Sequence, residues 1–387
     1  MDFNLTEEQQ LIVKTTRDFV RAELVPHERE VEDSGQLQPQ LLQQLKAKAI
    51  AAGLYAANMP AEVGGAGLDA VSWILFEKEL GYTNYALQYS CVARPSNILL
   101  ACKGEQRERY LLPAVRGERV ECLAMTEPQA GSDLRSMRTS ARAQGGDFLI
   151  NGTKHFISHA DHADFVILFA ASGEEESPRG KRKLITAFLI DKGTPGFEVR
   201  PGYRNVSHRG YNNCILQFTD CRVPASAVLG EVHRGFEVAN TWLGATRLQV
   251  AANCLGRAER ALEASRQWAV DRVQFGQQIG KFQGVSFKLA DMAVELRAAE
   301  LLTLEAAWKL EVGSATDSDM AIAKLKATEM LAMVADEALQ IHGGMGLMTE
   351  LPLERIWRDA RIERIWEGTS EVQRHIISRA LLRPLGG

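Results

Sequence analysis

One acidic residue near the end of the chain has neighbours that suit proton transfer. Glu367 stands between Trp366 and Gly368, and the hydroxyl residues Thr369 and Ser370 follow it. An aromatic neighbour removes water from a carboxylate and raises its pKa, as a general base working near neutral pH requires. The glycine lets a ligand approach the backbone, and a hydroxyl can cap a helix whose first amides favour an anion. On these residues alone, a glutamate in a loop before a capped helix is the simpler interpretation.

A second candidate segment is a polar loop of small residues in the middle of the chain. It covers residues 125–133, with Met125 at its start, Thr126 next and Ser132 near its end. Hydroxyl groups and backbone amides in such a loop can hydrogen-bond a flat heterocycle. An ordinary turn at the end of a strand explains the segment equally well.

The composition excludes some classes of partner. The chain has 387 residues, with 45 basic and 49 acidic side chains and a formal charge of -4. Nucleic acids and anionic membranes require a basic surface, so neither partner is expected. The six cysteines form no CxxC pair, and no apolar run reaches the length of a membrane span. Because the start lacks the basic and apolar parts of a signal peptide, we predict a cytoplasmic protein.

Three zones of different composition predict an α+β protein. Residues 1–120 are predicted to be helical, and a capping box begins at Thr6. Residues 121–230 contain short apolar runs bounded by turn residues without helices between them, which indicates an antiparallel sandwich or barrel. Residues 231–387 return to long amphipathic helices joined by short links, a pattern typical of a helical bundle.

Several polar features are predicted to have structural roles. His155, His159 and His162 lie close together but span a strand and a loop, so they are not expected to share a face, and no metal site is predicted. The charged residues 174–183 are predicted to form a solvated loop. Arg94, which precedes a proline, is predicted to cap a helix or form a bridge at the surface. If it faced a substrate pocket instead, a substrate with a polar or acidic tail would follow.

Taken together, the loop at residues 125–133 and the segment around Glu367 resemble the two signatures of the acyl-CoA dehydrogenase family, in the same order and at similar spacing. Residues 60–65 resemble an early loop of the family, with Val63 where tyrosine is usual. Further segments that match family landmarks are residues 154–158, residues 272–276 followed by Gln283, and residues 340–344. The resemblance covers nearly the whole chain.

This resemblance implies a fold and an activity. The fold would be an N-terminal helical domain, a middle antiparallel β-domain and a C-terminal four-helix bundle, commonly assembled as a homotetramer with FAD across a subunit contact. The chain would oxidise an acyl-CoA to the 2-enoyl-CoA in fatty acid β-oxidation. Glu367 would remove the α-proton, flavin N5 would take the β-hydride, and an electron-transferring flavoprotein would be the acceptor. The Glu367 amide and a flavin ribityl hydroxyl would hold the thioester oxygen.

The resemblance also assigns binding residues to two subunits. From one subunit, the flavin would be contacted by Met125, Thr126, Ser132, Phe156, Ser158, Thr369 and Ser370. The neighbouring subunit would hold the dinucleotide part through Arg272, Phe275, Gln283, Gln340, Gly343 and Gly344. The substrate would be contacted by Ser132, Thr246, Arg247, Trp366 and Gly368.

Departures from the family pattern leave alternatives open. Some members carry the base before a helical arginine; here Thr246 precedes Arg247, and a threonine cannot replace that carboxylate. Trp366 replaces a tyrosine, which hints at a shorter or branched acyl chain. Phe156 and Ser158 replace a tryptophan and a threonine beside the flavin, so an oxidase or an enoyl-CoA reductase stays open. A non-catalytic flavin-binding relative that associates with DNA is disfavoured by Glu367 and the acidic chain.

Overall fold

Helices form the N-terminal part of the chain in this computed structural model, which describes residues 4–177 and 180–385. The predicted capping box is present, because the Thr6 hydroxyl accepts from the Gln9 amide and the Gln9 side chain accepts from the Thr6 amide. These bonds use amides that a helix leaves free at its start. The helices are α1 (Glu7–Phe19), α2 (Glu28–Ser34), α3 (Pro39–Ala51), α4 (Ala70–Leu80), α5 (Tyr85–Cys91) and α6 (Leu112–Val115).

Strands of the middle part form one curled sheet. Its order is β6-β7-β3-β2-β4-β5-β8, and β1 pairs with β4 at the side of this path. These strands are β1 (Glu121–Ala124), β2 (Ser140–Gln144), β3 (Asp147–Ser158), β4 (Phe165–Ser177), β5 (Gly180–Asp191), β6 (Phe197–Pro201), β7 (Asn213–Pro224) and β8 (Val228–Leu229).

Most neighbouring strands are antiparallel, as the sequence predicts, but β1 runs parallel to β4, and β2 meets β4 through one parallel residue pair. A parallel pair requires a crossover connection, usually a helix. Here the hairpin of β2 and β3 is part of the connection from β1 to β4. Because this connection contains no α-helix, the sequence pattern indicated antiparallel pairing alone.

Within the charged segment, residues 174–177 and 180–183 are strands and not the loop that the sequence predicts, and residues 178–179 lie outside the described ranges. Strands β4 and β5 extend into it from both sides, with Glu174 opposite Lys183 and Glu175 opposite Arg182. Arg182 also forms an ion pair with Glu175 at 2.5 Å. Opposite charges that face each other across an antiparallel ladder stabilise it. The prediction was wrong because a run of charges also suits two exposed strands whose opposite charges face each other.

Long helices form the C-terminal part and confirm the predicted helical bundle. Helix α9 packs against α7, α8, α10 and α11, and its buried face is rich in alanine. None of the helices in the described ranges combines the length and the apolar character that crossing a membrane requires. The elements are α7 (Gly235–Asp271), β9 (Val273–Gln274), β10 (Gln277–Gln278), α8 (Gln283–Glu311), α9 (Asp317–His342), α10 (Leu353–Glu363) and α11 (Ser370–Leu382).

Candidate active site

A cavity of about 1130 Å³ lies where the helical parts meet the sheet. Its walls come from α5, the loop after β1, the end of β3, α7 and the loop between α10 and α11. Most of the residues singled out in the sequence line it, although they are far apart along the chain. They are Met125, Thr126, Ser132, Phe156, Ser158, Thr246, Arg247, Trp366, Glu367, Gly368 and Thr369.

The loop that carries Glu367 connects α10 to α11. The Thr369 hydroxyl caps α11 by accepting from an amide of its first turn at 3.2 Å, and the Ser370 amide donates to the Arg364 carbonyl at 3.0 Å. Glu367 has a φ of 52° and Gly368 a φ of 87°. A left-handed conformation costs a residue with a side chain about 1–3 kcal/mol and is found preferentially at functional positions. The turn places the Glu367 residue at the cavity wall.

The electrostatic setting of Glu367 favours a carboxylate that can exchange a proton. Burial raises its pKa, while Lys324 and Arg247 act in the opposite direction, and the result is a pKa of about 7. The nearby Glu363 adds to the rise. The Arg247 side chain is only 13% exposed and lines the cavity, so it is not the surface arginine of an exposed helix face. A carboxylate with this pKa can act as a base at neutral pH.

A buried ion pair fixes the polar loop after β1. Lys154 on β3 donates to the Glu127 carboxylate at 2.9 Å and to the Met125 carbonyl at 2.8 Å. Burial alone would raise the pKa of Glu127, but Lys154 and hydrogen bonds from two amides lower it to about 2. Because both buried charges are partnered, the loop has a defined conformation, in which Thr126 and Ser132 line the cavity.

A bulge in β3 turns Phe156 towards the cavity. The pairing of β3 with β7 shifts register between Lys154 and Ile157, and Phe156 has a φ of 55°. Its side chain is 54% exposed, and its ring centre lies 5.3 Å from that of Tyr203. Ser158, at the end of the strand, lines the same cavity. An exposed aromatic ring beside a hydroxyl suits a flat conjugated ligand.

A second group of predicted residues does not line this cavity. Phe275 stands at the turn of the β9–β10 hairpin with a φ of 50° and a side chain 96% exposed. Gly343 ends α9 with a φ of 60°. An aromatic ring this exposed is typical of a surface that another molecule covers. The predicted residues outside the cavity lining are Arg272, Phe275, Gln283, Gln340, Gly343, Gly344 and Ser370.

Arg94 does not lie at the surface, where the sequence analysis placed it. Its guanidinium is buried at the cavity wall and pairs with Glu77 on α4, with 2.9 Å between Nε and Oε1. The other nitrogens donate to the Gln88 side chain and to the carbonyls of Gln88 and Val92. The prediction was wrong because the partner lies 17 positions away on another helix, a pairing that no local pattern reveals.

Two buried charged groups beneath the Glu367 loop were not recognised from the sequence. Lys324 on α9 donates to two carbonyls of the loop. Glu363 accepts from His208 at 3.0 Å, from the Trp366 indole at 2.7 Å and from Arg257. For Lys324 a signal existed, since it is a lone charge on the buried, alanine-rich face of α9. The Glu363 cluster joins residues from α7, α10 and two separate loops and gave no such signal.

Family models match the chain in three consecutive segments. The N-terminal, middle and C-terminal domain models of acyl-CoA dehydrogenases match residues 6–118, 122–221 and 233–382. Proteins with these three domains are oxidoreductases of the flavoprotein class. The chain belongs to the acyl-CoA dehydrogenase family.

Relatives with known names are similar over almost their full length. The human mitochondrial short-chain specific acyl-CoA dehydrogenase is 37% identical over 98% of this chain and 91% of that protein. Acryloyl-CoA reductase (NADH) of Anaerotignum propionicum is 35% identical over 99% of this chain and 96% of that protein. The solved structure of butyryl-CoA dehydrogenase from Megasphaera elsdenii has a TM-score of 0.90 at 36% identity, covering 99% of this chain and 100% of that one.

Acyl-CoA dehydrogenases are FAD flavoproteins, and FAD is the cofactor of this chain. The cavity fits a flavin ring in its chemistry as well as in its volume. It offers the exposed Phe156 ring and the hydroxyls of Thr126 and Ser158. His155 also lines it, and its buried Nδ1 atom has no hydrogen-bond partner among the residues that the structure describes. The exposed ring offers a stacking face and the hydroxyls offer hydrogen bonds, which together suit the flat, polar flavin.

Proposed function

We propose that the chain oxidises a short acyl-CoA to the 2-enoyl-CoA, with Glu367 as the base that removes the α-proton. The observation that carries this proposal is the Glu367 carboxylate, which lies on a left-handed turn at the cavity wall and has a pKa of about 7. An α-hydrogen of a thioester is a weak acid, so its removal needs a positioned base of suitable pKa.

Other carboxylates that line the cavity are less suited to this role. Glu127 and Glu363 are held ionised by cations, each with a pKa of about 2, which makes them poor bases. Burial raises the pKa of Glu121, but one of its oxygens accepts from the Ser96 amide at 2.6 Å. Glu121 lies at the start of β1 rather than on the loop that faces Arg247 and Trp366.

The loop between α10 and α11 also offers the main-chain amide of Glu367, which can stabilise the charge formed on the thioester oxygen. No hydrogen bond from the Glu367 amide is found within residues 4–177 and 180–385, so this donor is free for a ligand. A donor aimed at a developing oxyanion is among the largest contributions to catalysis. Phe156, Thr126 and Ser158 would hold the flavin ring, and Arg247 would favour the ionised base. Bound FAD supplies the acceptor for the hydride that leaves the β-carbon.

The rate is expected to fall at low pH, where Glu367 is protonated. Only the ionised carboxylate can accept a proton, and its pKa is raised from 4.5 to about 7. We therefore expect kcat/KM for butyryl-CoA to fall about tenfold for each pH unit below pH 7 and to level off above it. Steady-state rates from about pH 5 to pH 9 measure this profile. A flat profile down to pH 5 would contradict the assignment.

The proposed short acyl chain is supported by the polar wall around Arg94. Glu77, which pairs with Arg94, also accepts from the Asn253 amide at 2.7 Å and from the Gln249 amide at 3.1 Å. Both terminal nitrogens of Arg94 donate within the protein, so this part of the wall is polar and offers a methylene chain little apolar contact. The human relative is named a short-chain specific dehydrogenase, and the structural relative a butyryl-CoA dehydrogenase.

Removing this ion pair is expected to shift the preference towards longer acyl chains. In a double variant, Glu77→Gln with Arg94→Met, the ion pair is removed and position 94 of the cavity wall becomes apolar, while both side chains keep about their length. We expect the ratio of kcat/KM for octanoyl-CoA over butyryl-CoA to rise about tenfold, the gain from burying about two more methylenes at roughly 0.8 kcal/mol each. A matched control, Glu79→Gln with Arg17→Met, removes the ion pair between α1 and α4 outside the cavity. An unchanged ratio in the first variant would contradict the proposed role of Arg94.

We also propose that a second copy of the chain completes the cofactor site. The exposed positions of Arg272, Phe275 and Gln340 suit contact with the dinucleotide part of FAD bound in a neighbouring subunit. A homotetramer that passes electrons to an electron-transferring flavoprotein, in cytoplasmic fatty acid β-oxidation, follows from the family pattern. Sedimentation of the FAD-loaded protein tests the assembly.

The reverse reaction is a second candidate, because two relatives are named as reductases. The base that removes the α-proton returns it when the reaction runs backwards, so the same cavity serves both directions. The electron partner then decides the direction. Oxidation of NADH or of a reduced flavoprotein by crotonyl-CoA, faster than butyryl-CoA oxidation, would favour the reductase.

A further inference from the structure

Lys324 is a buried cation that binds main-chain carbonyls instead of a carboxylate. The residue is 0% exposed on α9. Its Nζ donates to the Trp366 carbonyl at 3.0 Å and to the Gly368 carbonyl at 2.8 Å. A buried ammonium group is costly unless its donors are used. Here they are used on the two carbonyls that flank Glu367 in the sequence.

These hydrogen bonds define the orientation of the peptide between Trp366 and Glu367. A trans peptide is planar, and its C=O and N–H groups point in opposite directions. The Trp366 carbonyl points towards Lys324, which does not line the cavity. The N–H of Glu367 therefore points away from Lys324, towards the side of the loop that forms the cavity wall.

A second side chain, that of Gln373, also binds carbonyls of this loop. Gln373 on α11 donates to the Glu367 carbonyl at 3.2 Å and to the Gly368 carbonyl at 2.9 Å. It makes no bond to the Trp366 carbonyl, so the orientation of the Glu367 amide depends on Lys324. A side chain at position 368 would meet Gln373, because a Cβ there would lie 2.5 Å from its Nε2. The loop is thus held from below by Lys324 and Gln373.

We propose that Lys324 is a positioning residue that turns the Glu367 amide towards the thioester oxygen while keeping the Glu367 side chain at the cavity wall. This inference rests on the proposed function, which places a thioester at that amide. Lys324 acts through the loop and does not itself reach the substrate.

The charge of Lys324 adds an effect on proton transfer. The groups that act electrostatically on Glu367 are Lys324 on α9, Arg247 on α7 and Glu363 on α10. Tyr89 on α5 also feels the charge of Glu367. Lys324 favours the ionised form of Glu367, so its removal should raise the pKa of that carboxyl. The acid limb of the rate profile would then move to higher pH.

The test compares FAD-loaded wild type with Lys324→Met, which keeps the side-chain length but has neither charge nor donor. We expect kcat for butyryl-CoA to fall about 100-fold, as when one oxyanion donor is lost, with little change in KM. The acid limb of the kcat/KM profile should move to higher pH. Lys324→Gln keeps a donor but has no charge, so its fall in kcat and its shift of the acid limb should be in the same direction and smaller. This variant replaces the methionine variant if the latter does not fold.

A spectroscopic readout separates positioning from a merely structural role. Crotonyl-CoA labelled with carbon-13 at the thioester carbonyl is bound to each protein, and its C=O stretch is measured by infrared difference spectroscopy. Binding to wild type should lower the frequency, and the Lys324→Met variant should show less than half of this shift. Lys326→Met is the matched control, because Lys326 lies on the same helix and pairs with Glu295 outside the cavity.

Each outcome has a defined meaning. An active wild type, with an unchanged carbonyl shift and pH profile in both Lys324 variants, would overturn the positioning role alone. Equal losses in the Lys326→Met control would also overturn it, since the effect would then be general to α9. A wild type that neither oxidises acyl-CoA nor shifts the carbonyl stretch would refute the proposed function, and the positioning role with it.

Discussion

Replacing Glu367 with glutamine is expected to lower kcat for butyryl-CoA by about 10⁴-fold while the protein keeps its fold and its FAD. The substitution preserves the size of the side chain and removes the group that accepts the α-proton. Turnover with an artificial electron acceptor measures the loss, and the visible spectrum and thermal unfolding verify that FAD and fold are retained.

Two further variants make this result specific. Glu371→Gln changes an exposed glutamate four residues away on α11 and should leave turnover unchanged. Glu121→Gln changes another carboxyl at the cavity wall whose pKa is raised by burial. If the Glu121 variant lost turnover while Glu367→Gln stayed near wild type, the base would be Glu121 instead.

The largest effect on stability is expected from Glu363. Burial alone would raise its pKa, but Arg257 and His208 lower it to about 2, so the buried carboxylate is ionised. Glu363→Met leaves Arg257, which is 1% exposed, without this partner and frees the Trp366 indole from its hydrogen bond. Breaking a buried pair in this way costs about 3–5 kcal/mol of the free energy of unfolding. Denaturant unfolding of wild type and variant measures the difference.

The stabilising effect of Glu363 should also depend on pH. Its pKa in the folded protein lies below the ordinary value, so its contribution is present above about pH 4.5 and is lost as pH falls towards 2. The difference between wild type and Glu363→Met should therefore shrink over this range. Glu198→Gln, which removes an exposed partner of Arg200, should leave stability unchanged at every pH. A constant difference down to pH 2 would contradict the ionised state of Glu363.

Structural features that depend on local residue patterns could be predicted from the sequence. The capping box at Thr6 needs only residues three positions apart, and the order of helix, sheet and helix follows from the period of the apolar residues. The two signature segments drew attention to Thr126 and Glu367, which line one cavity although the chain between them is long. Family resemblance, not spacing, connected them.

Features that depend on distant partners were missed. Arg94 was placed at the surface because its partner Glu77 lies on another helix, and a buried arginine is recognisable only with that partner. The charged strand residues 174–177 and 180–183 were assigned to a loop because the pairing of their charges depends on the register between two strands. Lys324 binds carbonyls more than forty residues away. The types of residue in a loop do not reveal the orientation of its main-chain carbonyls, so this contact could not be predicted.

The most direct test of the central claim is an anaerobic titration of the FAD-loaded protein with butyryl-CoA, followed in the visible flavin band. With Glu367 as the base, the band of the wild type should bleach rapidly as substrate is added. The Glu367→Gln variant, with the same FAD content, should keep its band over the same time. Equal bleaching of both proteins would show that another group removes the α-proton and would contradict the role of Glu367.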